Sequence, residues 1–229
     1  MDLAEKARYW NVAKQLLAVT GVVQKFVHKA GLTHNFCNEQ AATILEADGY
    51  PRAACLIQTY LKELNEGVSW ADRAWKNSSH FFNPSTGKGF WRWPNALLEC
   101  HLHFHRAHKE WEADHHSKAM FFLGAAAHLV QDLCVPHHAR GDLFNGHQDF
   151  ESWAEANRNF FTADSDGIYH LGETPGAWVA ANALFSDPYY PLVAENSAQK
   201  NYLLASRVLL PRAQRTTAGF FHFFLRNKI

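Results

Sequence analysis

Histidine and carboxylate residues recur in this chain at a spacing that suits metal ions. His128 and Asp132 lie four residues apart in the apolar segment Phe121–Leu133, so on a helix both project from one face. His147 and Glu151 repeat the interval, with His138 between the two pairs. An imidazole and a carboxylate set among Phe, Leu, Ala and Val are costly to bury unless they pair or bind a cation. One such pair reads equally well as a buried His–Asp hydrogen bond. Two pairs with a further histidine between them favour zinc, which takes neutral imidazole and carboxylate as ligands. Upstream, Asp72 and His80 stand in an aromatic-rich stretch and His34 near the start of a helical one; each alone would carry no argument.

Helices have to position these groups. Leu3, Ala7, Trp10, Ala13, Leu17 and Val22 suggest a leading amphipathic helix. Thr33 is the expected N-cap of a helix from His34 to Ala47, and Pro51 opens another that should stop at Gly67. From Val68 to Pro94 the pattern gives way to Asn, Ser, Gly, Pro and aromatics, which predicts a long ordered loop of the kind that carries function. Helix is expected again over Asn95–Lys109 and Ser117–Leu133. Pro136 should then break the chain into a loop, His137–Phe150. Further helices are expected over Phe150–Phe160, Pro175–Phe185, Tyr189–Leu210 and Arg212–Arg226. Strand-like alternation is scarce, so the predicted class is all-α, a single compact multi-helix domain.

Composition narrows the functions available. The chain has 229 residues, 47% hydrophobic and 14% aromatic, enough for a core and too apolar for disorder. Its 22 basic and 22 acidic residues leave no net charge, which weighs against gripping nucleic acid mainly by counterion release. No run approaches the roughly 18 apolar residues of a membrane span. Cys37, Cys55, Cys100 and Cys134 lack Cys-x-x-Cys spacing and read as buried thiols. The first residues lack the basic, apolar, small-residue order of a signal peptide. Of the 15 histidines, those between His101 and His116 read as an exposed helix face, with metal capture as the alternative.

Three segments together resemble the zinc-dependent phospholipase C family, similar in fold to the single-strand-specific zinc nucleases. The first is Gly67-Val-Ser-Trp-Ala-Asp72 followed by His80-Phe-Phe-Asn-Pro-Ser-Thr-Gly-Lys88, with Asn83 where the family usually has Asp. The second runs from Phe121 through His128, Asp132 and Pro136 to His138-Ala; the third is His147-Gln-Asp-Phe-Glu151. The resemblance implies an all-α catalytic domain over residues 30–229, with 1–29 a helical N-terminal extension. It implies one zinc held by Asp72, His80, His128 and Asp132, and a second held by His138, His147 and Glu151. His34 and a bridging Asp132 would share a third with an N-terminal amine. The family supplies that amine from a Trp shortly before the histidine, whereas Phe26–Thr33 contains no Trp; two zincs are therefore expected, and the third position lacks this ligand.

The implied activity is phosphodiester hydrolysis by metal-activated water, with a phospholipid, at a membrane surface or dispersed, cleaved to diacylglycerol and a phosphorylated head group. Asp72 would serve as ligand or as general base. Arg73, Trp70 and Phe81 are the expected substrate contacts. A single-strand-specific nuclease acting on nucleic acid is the alternative, and a non-catalytic zinc-binding protein the second. The resemblance implies a secreted or periplasmic protein, while the absent signal pattern leaves the cytoplasm open; nothing in the sequence sets an oligomeric state.

Overall fold

A computed structural model describes residues 31–72, 79–89 and 95–229, and the expected leading helix over residues 3–22 lies outside them. Helices α1 (Gly31–Ala47), α2 (Pro51–Thr59) and α3 (Leu61–Ala71) come first, then α4 (Ala96–Glu112) and α5 (His116–Asp132). The short α6 (Pro136–Arg140), α7 (His147–Asn157), α8 (Pro175–Ser186), the single turn α9 (Tyr190–Val193) and the long α10 (Gln199–Leu225) follow. Among the described residues there is no strand, and one isolated bridge joins Asn83 to Lys88. No helix among them is long and apolar enough to cross a membrane.

Helix α5 is the central element. Every residue from Phe122 to Asp132 is buried, so the helix is covered on all sides rather than along one stripe. Helices α3, α4 and α10 pack around it, and the core runs through Leu45, Leu64, Leu123, Trp178 and Phe220. A helix enclosed this way holds the polar side chains it carries in fixed positions, and its C-terminal end, at Gln131 and Asp132, meets a cleft.

Several boundaries differ from expectation, each for a tertiary reason. Gly67 does not end a helix. It lies inside α3, where a Cβ would stand 1.9 Å from the Phe121 carbonyl oxygen; opposite it, a Cβ on Gly124 would stand 2.1 Å from the Leu64 oxygen. The two glycines let α3 and α5 cross backbone to backbone. The chain instead breaks at Tyr60, between α2 and α3. Thr33 is no cap, since the helix already includes Gly31. Pro136 starts α6 rather than ending structure, taking a first-turn position where its missing N–H costs nothing. Pro211 lies inside α10, where the loss of one backbone hydrogen bond is outweighed by burial of Leu209, Leu210, Ala213 and Thr217 around it. Cys55 is exposed on the outer side of α2, whereas Cys37, Cys100 and Cys134 are buried thiols.

Candidate metal centre

The site is built outward from α5. His128 and Asp132 project from its buried C-terminal end, 1% and 3% exposed. Helix α1 contributes His34, the end of α3 Asp72, the turn after residue 79 His80, α6 His138, and α7 His147 at its start and Glu151 one turn on. Asp132 stands at the centre: its Oδ2 lies 3.0 Å from His80 Nδ1 and 3.1 Å from His128 Nε2, and its Oδ1 lies 3.3 Å from His34 Nε2. Asp72 Oδ1 is 4.0 Å from His128 Nε2. Beside this group His138 Nε2, His147 Nε2 and Glu151 Oε1 form a triangle with sides of 3.1, 3.2 and 2.8 Å.

Three ligand groupings result, each with its donor atoms within 4.8 Å of one another: His34, His128 and Asp132; Asp72, His80 and His128; His138, His147 and Glu151. The eight ligand candidates read from the sequence are thus brought together, with His128 common to two groupings. Around zinc with bonds of about 2.0–2.1 Å, a tetrahedral edge is about 3.4 Å, close to the sides of the His138–His147–Glu151 triangle.

The donor chemistry fits zinc as well. Although two imidazole nitrogens face Asp132 Oδ2, neither is aligned to donate to it, and this buried oxygen has no hydrogen bond. Lone pairs that converge without a donor are relieved by a cation. Tautomers are set from outside the cluster. His34 Nδ1 donates to Gln131 Oε1 at 2.8 Å and His138 Nδ1 to the His80 carbonyl at 3.2 Å, which leaves each Nε2 lone pair facing inward. Gln131 is itself held, its Nε2 donating to Asn38 Oδ1 at 2.9 Å and Thr217 Oγ1 at 3.1 Å.

Electrostatics act on the ligands in opposing directions. Burial would lower His80 and His147, but Asp132 beside the first and Glu151 beside the second raise both imidazoles, favouring a positive charge that a metal ion would supply. Burial pushes the His128 imidazole down to about 3, so it is neutral. Burial would raise Asp132, but the imidazoles around it, His128 and His138 foremost, hold it well below the usual carboxylate range. Glu151 is lowered in the same way by His147 and His138 against its own burial. Asp72 goes the other way, to about 7, through burial and then the nearby Asp132 carboxylate. A carboxylate that resists ionising beside another is a demand for positive charge at that spot.

The loop before α7 aims His147. Gly146 takes φ +83°, and a Cβ there would come 2.8 Å from Glu195 N, so only glycine makes this turn. Asp142 braces the loop by accepting from Phe144 N, Asn145 N, Asn145 Nδ2 and the Tyr190 hydroxyl. His137, buried, hydrogen-bonds through Nε2 to the Asn145 carbonyl at 3.0 Å and stacks on His147 with centroids 4.9 Å apart. Gln131, His137 and Asp142 were not among the residues singled out from the sequence. Only the His137-His138 doublet hinted at one of them.

The expected substrate contacts are placed less uniformly. Phe81 lines the cleft floor but is 1% exposed, its ring stacked on His138 at 5.0 Å. Trp70 packs instead against His103, Phe121 and Phe122 and does not line the cleft. Arg73 lies outside the described residues. The cleft's remaining wall is largely apolar, formed by Val135, Leu143, Phe150, Leu209, Leu210 and Ala213, with Gln148, Ser152 and Glu155 also on it.

Fold and site together define an all-helical protein whose interior gathers imidazoles and carboxylates around positions for several closely spaced metal ions. A family model for zinc dependent phospholipase C matches residues 33–183, about two thirds of the chain, and the chain belongs to that family. Zinc is accordingly its metal. Phospholipase C from Clostridium perfringens is 24% identical over an alignment of 234 positions that covers 85% of this chain and 58% of that protein. The counterpart from strain 13 / Type A is 23% identical over 235 positions. Alpha toxin from Clostridium absonum superposes with a TM-score of 0.75 at 22% identity, covering 85% of this chain and 63% of that one. Alpha-toxin from an avian strain of Clostridium perfringens gives 0.72 at the same identity and coverage. The chain thus spans about 60% of the length of these relatives, and the structural likeness establishes the fold.

Proposed function

We propose that this protein is a zinc-dependent phosphodiester hydrolase, and specifically a phospholipase C that releases diacylglycerol and a phosphorylated head group. The observation that carries the reading is the cleft itself: one wall is the His/carboxylate cluster, the other is largely apolar with Gln148, Ser152 and Glu155 among it, and no Lys or Arg lines the cleft among the described residues. A phosphodiester attached to an acyl glycerol suits such a pair of walls. A polynucleotide would leave its neighbouring phosphates without cationic partners. The names of the relatives point the same way.

In this reading His34, Asp72, His80, His128, Asp132, His138, His147 and Glu151 hold the zinc ions. Bound zinc supplies an acidified water and neutralises charge developing on the phosphoryl oxygens. The chain's own residues do the positioning. Gln131 and the His80 carbonyl hold His34 and His138 with Nε2 inward. The apolar wall excludes water from the ester side of the phosphate and seats the lipid. Asp72, at the mouth of the cluster, either completes a ligand set or takes the proton of the attacking water at its carboxylate. Residues 30–229 form the catalytic unit with 1–29 as an extension, a division supported by a family match that begins at residue 33. Family resemblance supports export from the cell, and the lipid is met at a membrane surface or dispersed.

The test is a side-by-side assay of zinc-loaded protein on short-chain phosphatidylcholine, other phospholipids and single-stranded nucleic acid. Release of phosphorylated head group is expected. Cleavage of nucleic acid alone would replace this reading with the nuclease one, and inertness towards all of them would leave a zinc-binding protein without this catalysis.

A further inference from the structure

Away from the cleft, α4 carries a second convergence of imidazoles. Its buried side presents Ala96, Cys100, Phe104 and Ala107 to the core. On its outer flank His101 and His105 lie one turn apart, with ring centroids separated by 4.6 Å and their Nε2 atoms 3.0 Å from each other. Further along the same flank both ring nitrogens of His108 are engaged: Nδ1 is 3.1 Å from Glu112 Oε1 and Nε2 is 3.0 Å from Lys228 Nζ. The three histidines open onto one groove shared with Glu112, Glu173 and Phe223.

We propose that His101 and His105 form a peripheral chelate for one divalent first-row transition ion, Zn²⁺ or Cu²⁺. Two imidazoles at i and i+4 present Nε2 from one helix face, and their separation approaches the edge of a tetrahedron around zinc, about 3.4 Å. The competing arrangement is an N–H···N hydrogen bond between the rings. It would require one ring to be the donor and both side chains, His105 exposed and His101 half-buried, to give up rotamer freedom for a single neutral hydrogen bond. A borderline cation instead satisfies both lone pairs at once, and imidazole selects Zn²⁺ or Cu²⁺ over Mg²⁺ and Ca²⁺, which prefer oxygen. Glu173 is held by Arg226 and Glu112 by His108, and Lys109 also lines the groove, so the two imidazoles alone supply the protein ligands and water completes the coordination. With two protein ligands the ion is exchangeable, and the site shares no residue with the cleft. A zinc count on this protein therefore includes an ion that the cleft does not hold.

The full chain, loaded with zinc and freed of excess by desalting, is titrated with Zn²⁺ by calorimetry and with Cu²⁺ by electron paramagnetic resonance. About one further equivalent is expected, with an imidazole-nitrogen signature for Cu²⁺. His101→Ala and His105→Ala should each abolish it and leave the circular dichroism spectrum and phosphodiester hydrolysis at the level of the unaltered protein. His116→Ala, at the start of α5 and off this groove, should retain it. Absence of the further equivalent, its survival in His105→Ala, or its loss in His116→Ala alone would overturn the assignment.

Discussion

Adding one methyl group at Gly124 tests how tightly fold and site are joined. An alanine Cβ at this position would stand 2.1 Å from the Leu64 carbonyl oxygen and 2.7 Å from its carbon. Both are backbone atoms, so no rotamer change relieves the clash, and α3 and α5 must separate by about 1 Å to restore ordinary contact. Overpacking of this kind costs about 1–3 kcal/mol, with a backbone clash at the upper end. Replacing a mid-helix glycine by alanine returns about 1 kcal/mol through propensity. The net loss of about 2 kcal/mol corresponds to a melting temperature lower by about 4–8 °C for a chain of this size. The displacement also has a direction: Asp72 ends α3, while His128 and Asp132 lie one and two turns beyond Gly124 on α5. Parting the helices should draw Asp72 away from His128 and weaken zinc retention. Thermal unfolding by circular dichroism, run on chelated and zinc-loaded protein with metal content measured in parallel, reads both effects. Gly124→Ser should cost more than Gly124→Ala. A Gly124→Ala protein that melts at or above the unaltered temperature with full zinc content would refute the close-crossing argument.

Other perturbations separate the parts of the site. Asp132→Asn should lower phosphodiester hydrolysis by about 100-fold or more, since this carboxylate faces three of the imidazoles; activity near the unaltered level would place the metal centre elsewhere. Chelation should lower the melting temperature, because each site filled at ~100 times its Kd stabilises the folded chain by about 2.7 kcal/mol; a scan unchanged by chelator would count against zinc. Asp142 is held at about 2, against its partial burial, by the Tyr190 hydroxyl and the donors of Asn145 and Phe144. Its folded-state pKa lies below the unfolded ~3.9, so its stabilisation is present above about pH 4 and fades as pH falls towards 2. Asp142→Asn should therefore destabilise at neutral pH by about 1 kcal/mol, discounted for solvent exposure, with the difference from the unaltered protein shrinking over that acid range; a constant difference would contradict the assignment.

What the sequence made legible was whatever a single element carries. The four-residue interval of His128 and Asp132 is a property of one helix, and so is that of His147 and Glu151; both stand as read, each on one helix face. The eight ligand candidates converge because motifs matched one by one to a family bring that family's geometry with them. Gly67 was misread as a stop because its role lies in Phe121, on a helix more than fifty positions away, and no local pattern records a crossing. The expected division between Tyr189–Leu210 and Arg212–Arg226 follows local propensity at the intervening proline, while the packing that keeps α10 continuous is not local. The role of Gln131 is invisible to local pattern for the same reason: its partner His34 is 97 positions distant. Trp70 was read as a substrate contact from its neighbours in sequence, yet an aromatic residue in that stretch serves the α3–α5 packing equally well.

The order of the ligands along the chain bears on how the protein is made. His34 stands near the beginning of the described chain, Glu151 well past its middle, and Asp132 faces partners from four different elements. No early segment contains a complete grouping, since the first two both wait for His128 and the third for Glu151. During synthesis the ion therefore meets only scattered histidines and carboxylates until most of the helices exist. Tight metal capture becomes a late event that reports successful assembly. Pairing across such separations is slow to search, and once made, each bound zinc acts as a clasp on a long loop of chain.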